Sequence, residues 1–147
     1  MLIMAAVVIG LSTSFDVNGQ SKIEKVGRLL KSSGYEANSF GDGVWMIKRP
    51  TTGPVLVAVQ DDILVIGMVI AEKANFQVTA ASAGDMLKLA HKLDYMKIGI
   101  DDDGDLFLRA ELKVGSLVQD DLNDILVRVI RDSDKVREAI KPYRTPK

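Results

Sequence analysis

The chain contains no cysteine, which removes disulfides, thiol nucleophiles and thiolate metal sites together. It leaves the compartment open, because exported proteins also go without cysteine. Histidine occurs once, at His91, so a zinc site would have to draw its remaining ligands from carboxylates. Aromatics make up only 5% of the residues, and Leu, Ile and Val must therefore fill the interior. Neither sign of charge dominates: 19 basic and 20 acidic residues give a formal net charge of −1. Such a balance exerts little pull on a phosphate backbone and argues against nucleic-acid binding. No apolar run approaches the roughly 20 residues that a transmembrane helix needs.

What is there is an ordinary globular composition, 47% apolar and 27% charged over 147 residues, enough for one domain with one core. The longest apolar run, residues 2–11, has the length of a signal-peptide core. Ser12, Thr13 and Ser14 follow it, and Val17-Asn18-Gly19 would serve as a permissive cleavage site. No Lys or Arg precedes Lys22, so the basic start of a signal peptide is missing. The alternative is a short buried strand or helix packed on the domain. An exported, periplasmic location follows from the first reading and a cytoplasmic one from the second. The chain thus divides into an apolar leader (1–20), a domain (21–142) and a short tail (143–147), expected to be frayed.

Patterning through the domain predicts an α+β fold in the order α-β-β-β-α-β-β-α, with an antiparallel sheet. A capping box, Ser21 with Glu24, starts the first helix, whose stripe is Ile23, Val26, Gly27 and Leu30. Gly34 suits its left-handed end. An extended segment begins at residues 35–40, and strands are expected at 44–48, 55–59 and 63–70. A short edge strand is placed around Phe76, Gln77 and Val78. The second helix starts near Ser82, capped through Asp85, with Met86, Leu89, Ala90 and Leu93 inward. Met96, Ile98 and Ile100 alternate with polar residues and lead into an Asp-Gly hairpin turn. Leu106, Leu108, Ala110 and Leu112 then face one way, and Phe107, Arg109, Glu111 and Lys113 the other. A capping box of Ser116 with Gln119 opens a long last helix ending at Pro142, with a break expected at Asp132-Ser133-Asp134.

Chemistry-bearing motifs are scarce. The acidic turn places Asp101, Asp103 and Asp105 at calcium-loop spacing. Gly99 and Ala110, however, stand where the first carboxylate and the bidentate glutamate belong. A solvated turn explains it better. Gly41-Asp42-Gly43 lacks the third glycine of a dinucleotide fingerprint. His91 has no serine or threonine tied to it by a motif. No catalytic set, metal site or cofactor is expected.

Surface is what remains. Residues 63–70 are apolar at both parities, whereas a half-exposed antiparallel strand should alternate. That points to a second covered face and to a homodimer, or to cover supplied by the N-terminal segment. Trp45, Met46, Ile63, Val65, Met68 and Ile70 are the candidate partner-binding residues, in a groove for an extended peptide or an amphipathic helix. Core packing is the competing role for Trp45.

The element order resembles that of the class I type III secretion chaperones and the related YbjN family of bacterial proteins. The resemblance is carried by the helix at 23–35, closing in Leu-Leu-Lys-Ser-Ser-Gly-Tyr, by the hairpin at 97–108 and by the helix at 122–140. It implies a non-enzymatic, often dimeric protein that binds other polypeptides or acts in regulation; the chaperones wrap an extended effector segment around their surface. The chain departs from them in its near-neutral charge, since those chaperones are usually strongly acidic. The other class of function open to it is a small-molecule sensor with a pocket between helices and sheet.

Overall fold

The computed structural model describes residues 17–49 and 53–145. The apolar run at 2–11 lies outside the described residues. The elements run α1 (Val17–Ser32), β1 (Ala37–Gly41), β2 (Val44–Ile47), β3 (Val55–Gln60), β4 (Ile63–Ala71), α2 (Ala80–Ala90), β5 (Met96–Ile100), β6 (Leu106–Lys113) and α3 (Gln119–Ile140). The six strands form one antiparallel sheet in the order β1-β2-β3-β4-β6-β5. This is the expected α+β architecture, with β1 added as a strand ahead of the three anticipated ones.

The three helices cover one face of that sheet. In α1, Val26 and Leu30 are buried, and Gly27 leaves room for the Trp45 ring, 3.5 Å from where a Cβ would stand. Ile23 closes over Gly43 in the β1–β2 turn, where a side chain on the glycine would meet it at 2.9 Å. The long α3 packs on β4 and β6 and touches both other helices. Its Leu122, Leu126, Val129, Val136 and Ile140 are sealed against Leu64, Ile66, Leu106 and Leu108 in one core. Burying a Leu or Ile fully contributes about 1.5–3 kcal/mol, so this interface between α3 and the sheet carries much of the stability.

Several local expectations are corrected. The first helix begins at Val17, so Ser21 lies inside it and caps nothing. The second is capped by Thr79: its hydroxyl accepts from Ser82 N at 3.1 Å, and Ser82 Oγ accepts from Thr79 N at 2.8 Å. Ser82 is thus the third residue of the helix and fully buried. At the start of α3, Val118 precedes the helix and its N–H is taken by Asp121, rather than Ser116 pairing with Gln119. Gln119 instead ties the helices, donating from Nε2 to Leu29 O at 3.1 Å.

No break interrupts α3 at residues 132–134. Asp132 is neutralised by Arg131 and Lys135, each at 2.9 Å, and Ser133 returns its hydroxyl to Ile130 O at 2.7 Å. With their polar atoms satisfied inside the helix, neither residue needs to end it. Phe76 makes an isolated bridge with Arg144 rather than a strand. The tail is correspondingly held, not frayed, as far as it is described. Tyr143 O accepts from Gln77 N at 3.0 Å, and its hydroxyl donates to Asp85 at 2.5 Å.

Candidate functional site

Sheet parity decides what the helices cover. Trp45, Val57, Ile66, Ala110 and Met96 stand in one register row and are all buried on the helical face. Directly beside it runs a row of the opposite parity: Asn38, Met46, Leu56, Gly67, Arg109 and Lys97. The helices pack on the first face, and no described element covers the second. That open face is the candidate site.

Its surface has two halves. Over β2, β3 and β4 it is apolar: Val44, Met46, Leu56, Ala58, Ile63, Val65 and Val69. Leu56 is 45% and Val69 51% exposed, large values for side chains surrounded by apolar neighbours. Over β6 and β5 it is built from Phe107, Arg109, Glu111, Lys113 and Lys97. Two glycines let these side chains lie flat. A Cβ at Gly99 would stand 2.6 Å from the Phe107 ring, and one at Gly67 would stand 2.9 Å from both Arg109 Cβ and Leu108 O. The Arg109 guanidinium lies 4.9 Å from the Phe107 ring centre, a cation–π distance. Its Nε is 3.0 Å from Glu111 Oε1, and Lys97 Nζ is hydrogen-bonded to the other carboxylate oxygen. The Lys97 hydrogen bond first, and the charges of Lys97 and Arg109 with it, hold the Glu111 carboxyl below its ordinary range against the opposing effect of desolvation.

The six residues singled out in the sequence divide between the faces. Met46, Ile63 and Val65 lie on the open face, half-buried. Trp45, Met68 and Ile70 are 8%, 3% and 6% exposed and belong to the core, where α1 and its neighbours cover them. Leu56, Val69, Phe107 and the charged group on β5–β6 were missed. Their signal was present, since Phe107, Arg109, Glu111 and Lys113 share one parity. What the sequence hid is that β6 pairs with β4, which places those residues beside the apolar half.

Elsewhere the surface offers less chemistry. Two open depressions of about 500 and 490 Å³ are lined by Glu36, Met46, Lys48, Arg49 and Pro54, and by Leu87, Lys88, His91 and Lys92. Neither lies between helices and sheet. His91 is exposed at the end of α2. Among the described residues no group of three or more His, Asp or Glu is arranged to hold a metal ion, and no helix is long and apolar enough to cross a membrane. On the helical side Leu87 and Tyr95 are 73% and 80% exposed, and Val127 of α3 51%. Tyr95 sits at φ 64°, an uncommon left-handed conformation for an aromatic residue, with Arg128 6.0 Å from its ring centre.

No family model matches the chain, and no curated relative matches it. Solved structures do. A chain of the HopA1–SchA chaperone–effector complex superposes with a TM-score of 0.64 at 13% identity, covering 85% of this chain and 99% of that one. A chain of the heterodimeric ExoU–SpcU complex of the Pseudomonas aeruginosa type III secretion system gives 0.61 at 18% identity, covering 78% and 97%. YbjN of E. coli gives 0.55 at 13% identity, covering 84% and 96%. The fold is therefore the one shared by type III secretion chaperones and YbjN.

Proposed function

We propose that this protein is a non-enzymatic, chaperone-like protein-binding module that receives a polypeptide on its open sheet face and acts as a homodimer. The observation that carries the reading is the uncovered apolar half over β2, β3 and β4, centred on Leu56 and Val69, in a domain otherwise packed on one side. Exposed apolar patches of this kind mark interaction surfaces. The neighbours of this fold include chains from chaperone–effector complexes, which supports a polypeptide as the occupant. The domain that does this is residues 21–142, extended by the start of α1 from Val17 and by the tail contacts of Tyr143.

The absence of cysteine gives a direct test. Leu56→Cys carrying a photo-crosslinker, used in lysate of the source cells, should capture a discrete polypeptide of a mass other than this chain's 16.0 kDa. The same probe at Val118, 56% exposed but at the start of α3, should not. Equal capture from both positions, or none from Leu56, would remove the sheet face as the binding surface.

A further inference from the structure

The open face carries a charge that the chain as a whole does not. On β5 and β6, Lys97, Arg109 and Lys113 share it with one carboxylate, Glu111, as their register partners Gly67, Ile63 and Val65 show, while Glu36 and Lys48 beside Met46 cancel each other. The face therefore has a net charge of about +2 by count, on a chain whose total is −1. Both Lys97 and Arg109 lean on the single Glu111 carboxylate, which cannot neutralise two cations. At the far end of the same row Asn38 Nδ2 is buried without a hydrogen-bond acceptor, although buried donors are nearly always paired. The excess of accessible donors is thus at the β5–β6 end of the row, with an apolar stretch between it and Asn38.

We propose that Arg109 and Lys97 make this surface selective for acidic partner segments: polypeptides that lay apolar side chains over Met46, Leu56 and Val65 and bring a carboxylate to the β5–β6 side. This rests on the sheet-face reading above and specifies which partners it admits. A second copy of the chain would bring the same three cations to the face, whereas an acidic segment supplies the missing charge. The selection is electrostatic, so it acts on discrimination and encounter more than on the total apolar contact. The row from β2 to β5 crosses four strand spacings, about 19 Å, which a segment of about 13 helical residues spans.

The test uses two fluorescein-labelled synthetic peptides of that length, identical in their leucine positions and differing in whether their charged residues are glutamate or lysine. Binding to the full chain is read by anisotropy at low and high salt. The glutamate peptide should bind at least about tenfold more tightly at low salt, and the advantage should shrink as salt screens it. The double variant Lys97→Gln/Arg109→Gln should lose the advantage, Arg109→Lys should keep most of it, and Lys88→Gln/Lys92→Gln on α2 should leave it whole. Equal binding of the two peptides, or an advantage that survives the double variant, overturns the inference. Leu56→Asn, which removes apolar contact without adding charge, should weaken both peptides together. If it weakens both while they bind alike, the sheet face stands and the charge selection falls. If Leu56→Asn changes neither, the binding surface itself is elsewhere and the inference falls with it.

Discussion

Asp132 is a carboxylate at a position 1% exposed, on the side of α3 turned into the protein. Burial disfavours its charge, yet hydrogen bonds from Arg131 and Lys135, with the charges of both, outweigh that effect and hold its pKa below the ordinary carboxylate value. The cations themselves are about half exposed. The arrangement therefore differs from a sealed ion pair, whose breakage costs about 3–5 kcal/mol. Arg131 and Lys135 can return to water when the charge is lost, so Asp132→Asn is expected to cost about 1 kcal/mol at pH 7. The pH dependence follows from the sign of the shift. A carboxylate more acidic in the folded state adds stability above its unfolded value near 4, and that contribution disappears as pH falls through the folded value. Urea denaturation should show the wild-type advantage over Asp132→Asn at pH 7 and a narrowing gap below pH 4. A gap that persists unchanged at low pH would mean that packing, not charge, distinguishes the two side chains.

Among the elements, α2 shows how a helix is held from outside its own sequence. Its start is fixed by the Thr79–Ser82 box, and Asp85 in its second turn accepts from the hydroxyl of Tyr143. The same tail residue receives Gln77 N, and Thr145 N reaches Asn75 O at 3.3 Å. The C-terminal residues thus clasp the loop before α2. The hydrogen bond to Asp85 is the first cause of the raised Tyr143 phenol, and its counterpart is the first cause of the lowered Asp85 carboxyl. The raised phenol contributes below its unfolded value near 10 and loses that contribution as pH rises through the folded one. The lowered carboxyl contributes above about 4 and fails as pH falls through its folded value. The clasp is therefore complete across the neutral range. Tyr143→Phe should speed amide exchange of Gln77 several-fold at neutral pH while leaving the β4 and β6 amides at wild-type rates. Exchange accelerated everywhere alike would instead report global destabilisation. This clasp was not legible in the sequence. Phe76-Gln77-Val78 has strand-like residues, and nothing local says that its partner is a tail residue 68 positions away at Arg144. The helices were legible from their stripes, because apolar periodicity is a local signal. Their starting residues were misplaced because Ser21, Ser82 and Ser116 each have the right chemistry to cap, while α1 starts earlier at Val17, α2 uses Thr79 and α3 uses Val118 with Asp121.

At the scale of the whole molecule, the same parity that made β4 readable also misled. Its residues alternate between the core and the open face, and the sequence shows both sets as apolar without saying which side the helices take. Trp45 and Met46 are neighbours on opposite faces for the same reason. Once the helices are placed, exposed apolar side chains stand on both sides of the molecule, among them Leu56 and Val69 on the sheet face and Leu87 and Tyr95 on the helical side. An occupant on one leaves the other free. For the proposed homodimer that leaves the side of Leu87 and Tyr95, where Tyr95 keeps an uncommon backbone conformation with its side chain 80% exposed. The sheet face is left to the polypeptide partner. On this division Leu87→Asp should convert a dimer of about 32 kDa, twice the 16.0 kDa chain, into a monomer in light scattering while retaining peptide binding. Leu56→Asp should do the reverse. Both changes are at exposed positions, so neither should unfold the domain. A dimer lost with Leu56→Asp and kept with Leu87→Asp would show that two copies meet through their sheets. A monomer at every concentration in the wild type would remove the dimer and leave the binding surface to be judged by the peptides alone.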